Sequence, residues 1–255
     1  MLKEEYNNLY DIQTEKDDAF ERLYQIVKVL RKECPWDKIQ THESLVPGMK
    51  EEAYEAIDAI AMHDDENLKE ELGDVLLQVV FHSILSEEER TFTVSDVINE
   101  ECEKMIRRHP HVFEKEKLFA KDQEFDRWEK IKDREHHAEN EAERVNEVPR
   151  ALPALIRAEK IVKRTKRAGF EYDNPKRASE KIINILKDID NTSRNDGKND
   201  GKNDGKDADA INIGKLLFEV TAIAKTYGVN AEEALDKYVE DYIITFNKWY
   251  EQNGK

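Results

Sequence analysis

Carboxylates concentrate in two short runs, Glu51, Glu52 and Glu55 in the first and Glu70, Glu71 and Asp74 in the second. Glu52 with Glu55, and Glu71 with Asp74, are i,i+3 pairs, so on a helix each pair points in one direction. Asp74 stands among Leu72, Val75, Leu76 and Leu77. A helix apolar nearly all round at least partly desolvates such a carboxylate, which then needs a partner. Two carboxylates ~5 Å apart repel by roughly 3 kcal/mol at an effective dielectric of about 20, and four on facing helices multiply that cost. Proton uptake or a bound cation would relieve it.

Ligation by oxygen alone, without His or Cys, suits a hard ion, Mg²⁺ or Mn²⁺. A di-iron bundle would need Glu-x-x-His on two helices, and His82 stands at the wrong offset from these acids. The competing view is that glutamates on a helix of an acidic protein form a solvated face. Asp74 within an apolar run, matched by a second acidic pair one short turn away, weighs against it.

The elements that must hold these acids are helices. Only 9 Gly and 6 Pro occur in 255 residues, and 38% of residues are charged and 38% hydrophobic. That composition predicts an all-α chain and excludes sandwiches, barrels and collagen-like folds, which need frequent turn residues. Apolar spacing predicts helices over 18–33, 49–62 and 68–85 and a fourth that begins after Thr93-Val94, with Ser95 as its N-cap, and runs to Arg108, with a loop over 35–48. Met49, Ala53, Ala56, Ile57 and Ile60 share one face of the second helix. Helices joined by the short HDDEN link should lie antiparallel.

The formal charge of −16 disfavours nucleic acid and anionic membranes as partners. Cys34 and Cys102 are too few for a disulfide framework, and no segment reads as a signal or anchor, so a cytoplasmic protein with reduced thiols is expected. The polar stretch 133–147 reads as a linker between residues 1–132 and 148–255, and the NDGK-repeat run 191–209 reads as a disordered loop. GDVLLQVV at 73–80 is similar to GKLLFEVT at 214–221, which suggests duplication.

The strings LRKECPWDKIQTHESL at 30–45, EEAYE at 51–55, EELGDVLLQVVFHSIL at 70–85 and KMIRRHPHVF at 104–113 closely resemble the MazG family. These are nucleoside triphosphate pyrophosphohydrolases of the all-α NTP pyrophosphatase superfamily. The resemblance covers nearly the whole chain, with a weaker MazG-like half from Val148 onward, and its most specific element is EExxE followed by ExxD. It implies tandem MazG-like domains and an active four-helix bundle completed in a homodimer. It also implies that Glu52, Glu55, Glu71 and Asp74 ligate Mg²⁺, with Mn²⁺ as the alternative ion. The implied reaction cleaves nucleoside triphosphates between the α- and β-phosphates, giving the monophosphate and pyrophosphate and removing excess or non-standard nucleotides. Glu51 or Glu55 would orient or deprotonate the attacking water.

Lys104 and Arg108 share a helix face and, by the same resemblance, grip the phosphate tail with Arg107 beside them. Cations in a last turn also favourably meet the helix dipole without any ligand. Trp128 corresponds to a family tryptophan near the nucleotide, with Lys132 one turn on, although Phe125, Trp128 and Ile131 would equally dock a helix into the core. Trp36 of the CPWD segment carries the same two readings. In the second half, Lys181, Asn184, Asn212 and Lys215 occupy the ligand positions, so that copy is expected to be a scaffold, dimerisation or regulatory module. The alternatives to this enzyme are a non-catalytic nucleotide-sensing or protein-binding module and a narrower dUTP or dCTP pyrophosphatase.

Overall fold

The computed structural model describes residues 15–113, 140–172, 175–195 and 204–253, and all regular structure among them is helical. The chain divides into two compact units, residues 1–132 and 133–255. In the first, α1 (Lys16–Glu33), a 3₁₀ turn (Asp37–Ile39), α2 (His42–Met62), α3 (Asp65–Glu88), α4 (Val94–Arg108) and a short α5 (Pro110–Phe113) follow in order. The central helix is α3, which packs against α2, α1 and α4. Its Val80, Phe81, Ile84 and Leu85 form the core with Val27 of α1 and Leu45 of α2, enclosed by Phe20, Leu23, Tyr24 and Leu77.

The loop expected over 35–48 ends early, because α2 begins at His42 and runs through Pro47. Thr41 caps it: Ser44 N–H donates to Thr41 Oγ1 at 3.2 Å, and Thr41 N–H donates to Ser44 Oγ at 2.8 Å. These two bonds and the burial of Leu45 outweigh the one backbone bond that the proline forfeits. At α4 the cap is Thr93 and not Ser95, since Asp96 completes a second reciprocal pair with it.

The apolar face read from the sequence is only partly buried in α2. Leu45, Ala56 and Ala59 are buried, whereas Met49, Ile57 and Ile60 are 39%, 59% and 57% exposed. Two apolar stripes run along this helix, and α3 covers only one. The link to α3 is two residues long: His63 takes a left-handed conformation at φ 55°, and Asp64 caps α3 by accepting from Asn67 N–H at 3.1 Å. Arg31 ties α1 to the rest, donating to the carbonyls of Asp37 and Gln40 and pairing with Glu88 at 2.6 Å.

In the second unit, α6 (Glu141–Asn146), α7 (Ala154–Arg167), α8 (Pro175–Asn195), α9 (Asp204–Thr226) and α10 (Ala231–Asn253) follow, with α9 packed against α8, α7 and α10. Val148, Val162, Ala178, Ile185, Thr221 and Ala222 are buried there. The expected polar linker contains α6, which docks on α7, so residues 141–146 are ordered as helix. The expected disordered loop is shortened from both sides, by α8 running to Asn195 and α9 starting at Asp204. Residues 196–203 lie outside the described residues. No described helix is long and apolar enough to cross a membrane.

Replacing Thr41 with Ala should destabilise the chain by about 1 kcal/mol, seen as a lower urea midpoint at unchanged slope. An unchanged midpoint would remove the capping bonds as the reason α2 starts where it does.

Candidate metal centre

Because α2 and α3 run antiparallel from a two-residue turn, their facing residues form successive rungs. Nearest the turn, Glu55 meets Glu71, and the next rung sets Glu52 against Asp74. One carboxylate oxygen from each of Glu52, Glu55 and Glu71 lies within 4.8 Å of the other two. Glu71 is buried and Glu52 and Asp74 are half-buried, while Glu55 is exposed. Farther along, Gly48 lies against Gln78, Leu45 and Phe81 enter the core, and His42 meets His82.

The electrostatics reflect this crowding. Glu52 holds its proton more tightly than an ordinary glutamate, first through desolvation and then through the charges of Asp74 and Glu55. Glu71 is raised likewise, by desolvation and then by Glu55, Asp74 and Glu70. Among the described residues this trio is the one cluster of acidic, His or Cys side chains able to hold a metal ion. Carboxylate oxygens at this spacing, with no nitrogen or sulfur among them, fit a hard divalent cation.

The remaining candidates are placed less closely. Glu51 is exposed on α2 and stands outside the trio. Lys104 is half-buried on α4 and pairs with Glu101 one turn back; Arg107 and Arg108 end the same helix. Trp36 is 62% exposed at the start of the 3₁₀ turn. Trp128 and Lys132 lie outside the described residues. His42 opens α2 with its ring against His82, and sequence reasoning missed that pair together with Gln78. Their signal was present, since Glu71, Asp74, Gln78 and His82 continue one helix face at spacings of three and four.

Of the residues expected at ligand positions in the second half, Lys181 of α8 pairs with Glu219 of α9, and Lys215 donates to Asn212 Oδ1 at 3.4 Å within α9.

A family model described as the MazG nucleotide pyrophosphohydrolase domain matches residues 40–113, which include the whole acidic seam. The Thermotoga maritima protein named nucleoside triphosphate pyrophosphohydrolase/pyrophosphatase MazG is 37% identical over 91% of this chain and 86% of its own length. The chain belongs to the MazG family. Another relative, the Escherichia coli K12 protein named nucleoside triphosphate pyrophosphohydrolase, is 35% identical over 91% of this chain and 87% of its own. A solved MazG-related protein from Thermotoga maritima overlaps 44% of this chain and 98% of its own, at 26% identity and a TM-score of 0.40. The MazG match begins at Gln40, so Trp36 falls outside it.

A carboxyl whose pKa is raised on folding opposes folding once ionised, and this opposition fades as pH falls through the raised value. Glu71→Gln should therefore raise the metal-free Tm at neutral pH. Mg²⁺ should raise the wild-type Tm at neutral pH and progressively less in acid, where protons compete for the same oxygens. A Mg²⁺ increment that does not change with pH would contradict a carboxylate site.

Proposed function

We propose that this chain is a Mg²⁺-dependent nucleoside triphosphate pyrophosphohydrolase, converting NTPs and dNTPs to the nucleoside monophosphate and pyrophosphate at the α2–α3 seam. The observation that carries this reading is the convergence of Glu52, Glu55 and Glu71 oxygens within 4.8 Å, with Asp74 close enough to raise two of their pKa values. When bound, Mg²⁺ supplies positive charge that draws in a polyphosphate and polarises the phosphorus under attack. Mn²⁺ has the same ligand preference and is expected to substitute.

Around that centre the protein's own groups bind and orient. Glu52, Glu55, Glu71 and Asp74 hold the cation. Glu51, exposed on the same helix, or Glu55, within the cluster itself, takes the proton of the attacking water or fixes its direction. Lys104 and Arg108, with Arg107, neutralise the phosphate tail from α4, which packs on the ligand helix α3. Trp36, Trp128 and Lys132 are the candidates for the nucleoside end.

A homodimer completes the bundle in this reading. The uncovered stripe of α2, with Met49, Ile57 and Ile60, and Leu72 and Leu76 of α3, at 54% and 40% exposed, form the apolar surface that a second copy would bury. Residues 148–255 are a degenerate second MazG-like copy serving as scaffold or regulator. Its Lys181 and Lys215 would repel the ion that their counterparts attract. The protein acts in the cytoplasm on free nucleotides and neither nucleic acid nor membrane is its partner, in keeping with a charge of −16.

Pyrophosphate release from a panel of NTPs and dNTPs should require Mg²⁺ and cease in EDTA. Asp74→Asn should lower it by about a hundredfold or more without loss of helical circular dichroism. Wild-type turnover in that variant would defeat the assignment, and nucleotide binding without pyrophosphate release would favour a sensor. Activity confined to dUTP or dCTP would favour the narrower enzyme.

A further inference from the structure

We propose that His42 and His82, together with Gln78 and one bound water, form a polar lock that keeps α2 and α3 in the register the metal ligands require. The proposal rests on the metal reading above and makes His42 and His82 positioning residues, since neither touches the cluster. On α3 the face that carries Glu71 and Asp74 continues through Gln78 to His82, and on α2 the face that carries Glu55 and Glu52 continues through Gly48 and Leu45 to His42. The lock therefore closes the same seam that the acids open.

Three observations define it. His42 Nδ1 and His82 Nδ1 lie 2.7 Å apart, and the rings are nearly parallel, with centroids at 5.0 Å and planes 9° apart. One nitrogen must donate and the other accept, so at least one ring is neutral. Burial, and secondarily the neighbouring His42, hold the His82 pKa below its usual value, which suits it to the neutral role. On its far side His42 Nε2 reaches Oγ of the buried Ser86 at 3.3 Å. A shift of α2 along α3 would break both contacts and strand buried polar groups.

The second observation is a pair of orphans. Gln78 Oε1 and His82 Nε2 are buried without a hydrogen-bond partner among the described residues. They belong to side chains one helical turn apart on a single face, about 5–6 Å between Cβ atoms, a span that one water bridges. A water held between an amide oxygen and a ring nitrogen satisfies both, as buried waters do at otherwise unpaired groups. The third observation is Gly48, where an added Cβ would stand 2.9 Å from Gln78 Nε2. Any side chain there presses on the Gln78 amide at the rung next to Glu52 and Asp74.

Groups that orient metal ligands from outside the coordination shell change affinity without contributing a ligand atom. The test is Mn²⁺ titration of the full chain, following the free-ion electron paramagnetic resonance signal, with Tm and helical circular dichroism measured in parallel. His82→Leu should bind Mn²⁺ about tenfold more weakly. His82→Gln, which keeps a polar group at that position, should recover most of the loss. Wild-type affinity in a folded His82→Leu protein overturns the lock, as do equal losses in both variants. If His82→Leu does not fold, Gly48→Ala takes its place. It should weaken Mn²⁺ binding, and unchanged binding in Gly48→Ala overturns the proposal. Asp74→Asn distinguishes the levels: wild-type affinity there, or no Mn²⁺ binding by the unaltered chain, overturns the metal reading and the lock together. Binding that depends on Asp74 and ignores position 82 overturns only the lock.

Discussion

Repulsion among the carboxylates of Glu52, Glu55, Glu71 and Asp74 is the constraint around which the first unit is arranged. Ordinarily two helices bearing such groups would splay until water screened the charges. Here both ends of the seam are pinned. The two-residue turn at His63 and Asp64 ties α2 to α3 just beyond the acidic rungs. Leu45 packed with Phe81, and His42 bonded to His82, tie them on the other side. The acids are held together by structure formed elsewhere, so the remaining ways to lower the energy are a proton or a cation. The raised pKa values of Glu52 and Glu71 describe the first, and the proposed metal provides the second.

The second unit answers the same geometric problem differently. Its most extensively packed helix pair is α9 on α8, and α9 also packs on α7, as α3 packs on α2 and α1. Across that seam Lys181 meets Glu219, and along α9 itself Lys215 meets Asn212. Opposite charge and a neutral amide leave no repulsion for an ion to relieve. A seam without stored electrostatic cost needs no metal, and this accords with a scaffold or regulatory part for residues 148–255.

The sequence was legible wherever a property belongs to a single helix. Periodicity located α1, α3 and α4, and i,i+3 spacing identified the acids before any helix was placed. It was less informative where two effects compete within one segment. Pro47 suggested a loop, but the reciprocal Thr41–Ser44 cap and buried Leu45 carry α2 through it. The apolar side chains of α2 form two stripes, and the one richer in large residues is the one left uncovered. What one helix could not show is register. The His42–His82 bond and the approach of Gln78 to Gly48 depend on how far α2 slides along α3, which the turn and the core decide jointly. Trp128 and Lys132 fall outside the described residues, so their part in nucleotide binding stays with the family resemblance.

The most direct test of the acidic seam is the position of the ion itself. Crystals of the full chain grown with Mn²⁺, with data collected near the manganese absorption edge, should give an anomalous peak bounded by Glu52, Glu55 and Glu71 with Asp74 beside it. A peak at some other group of side chains, with these carboxylates turned apart into solvent, would contradict the claim that a divalent cation balances their charge.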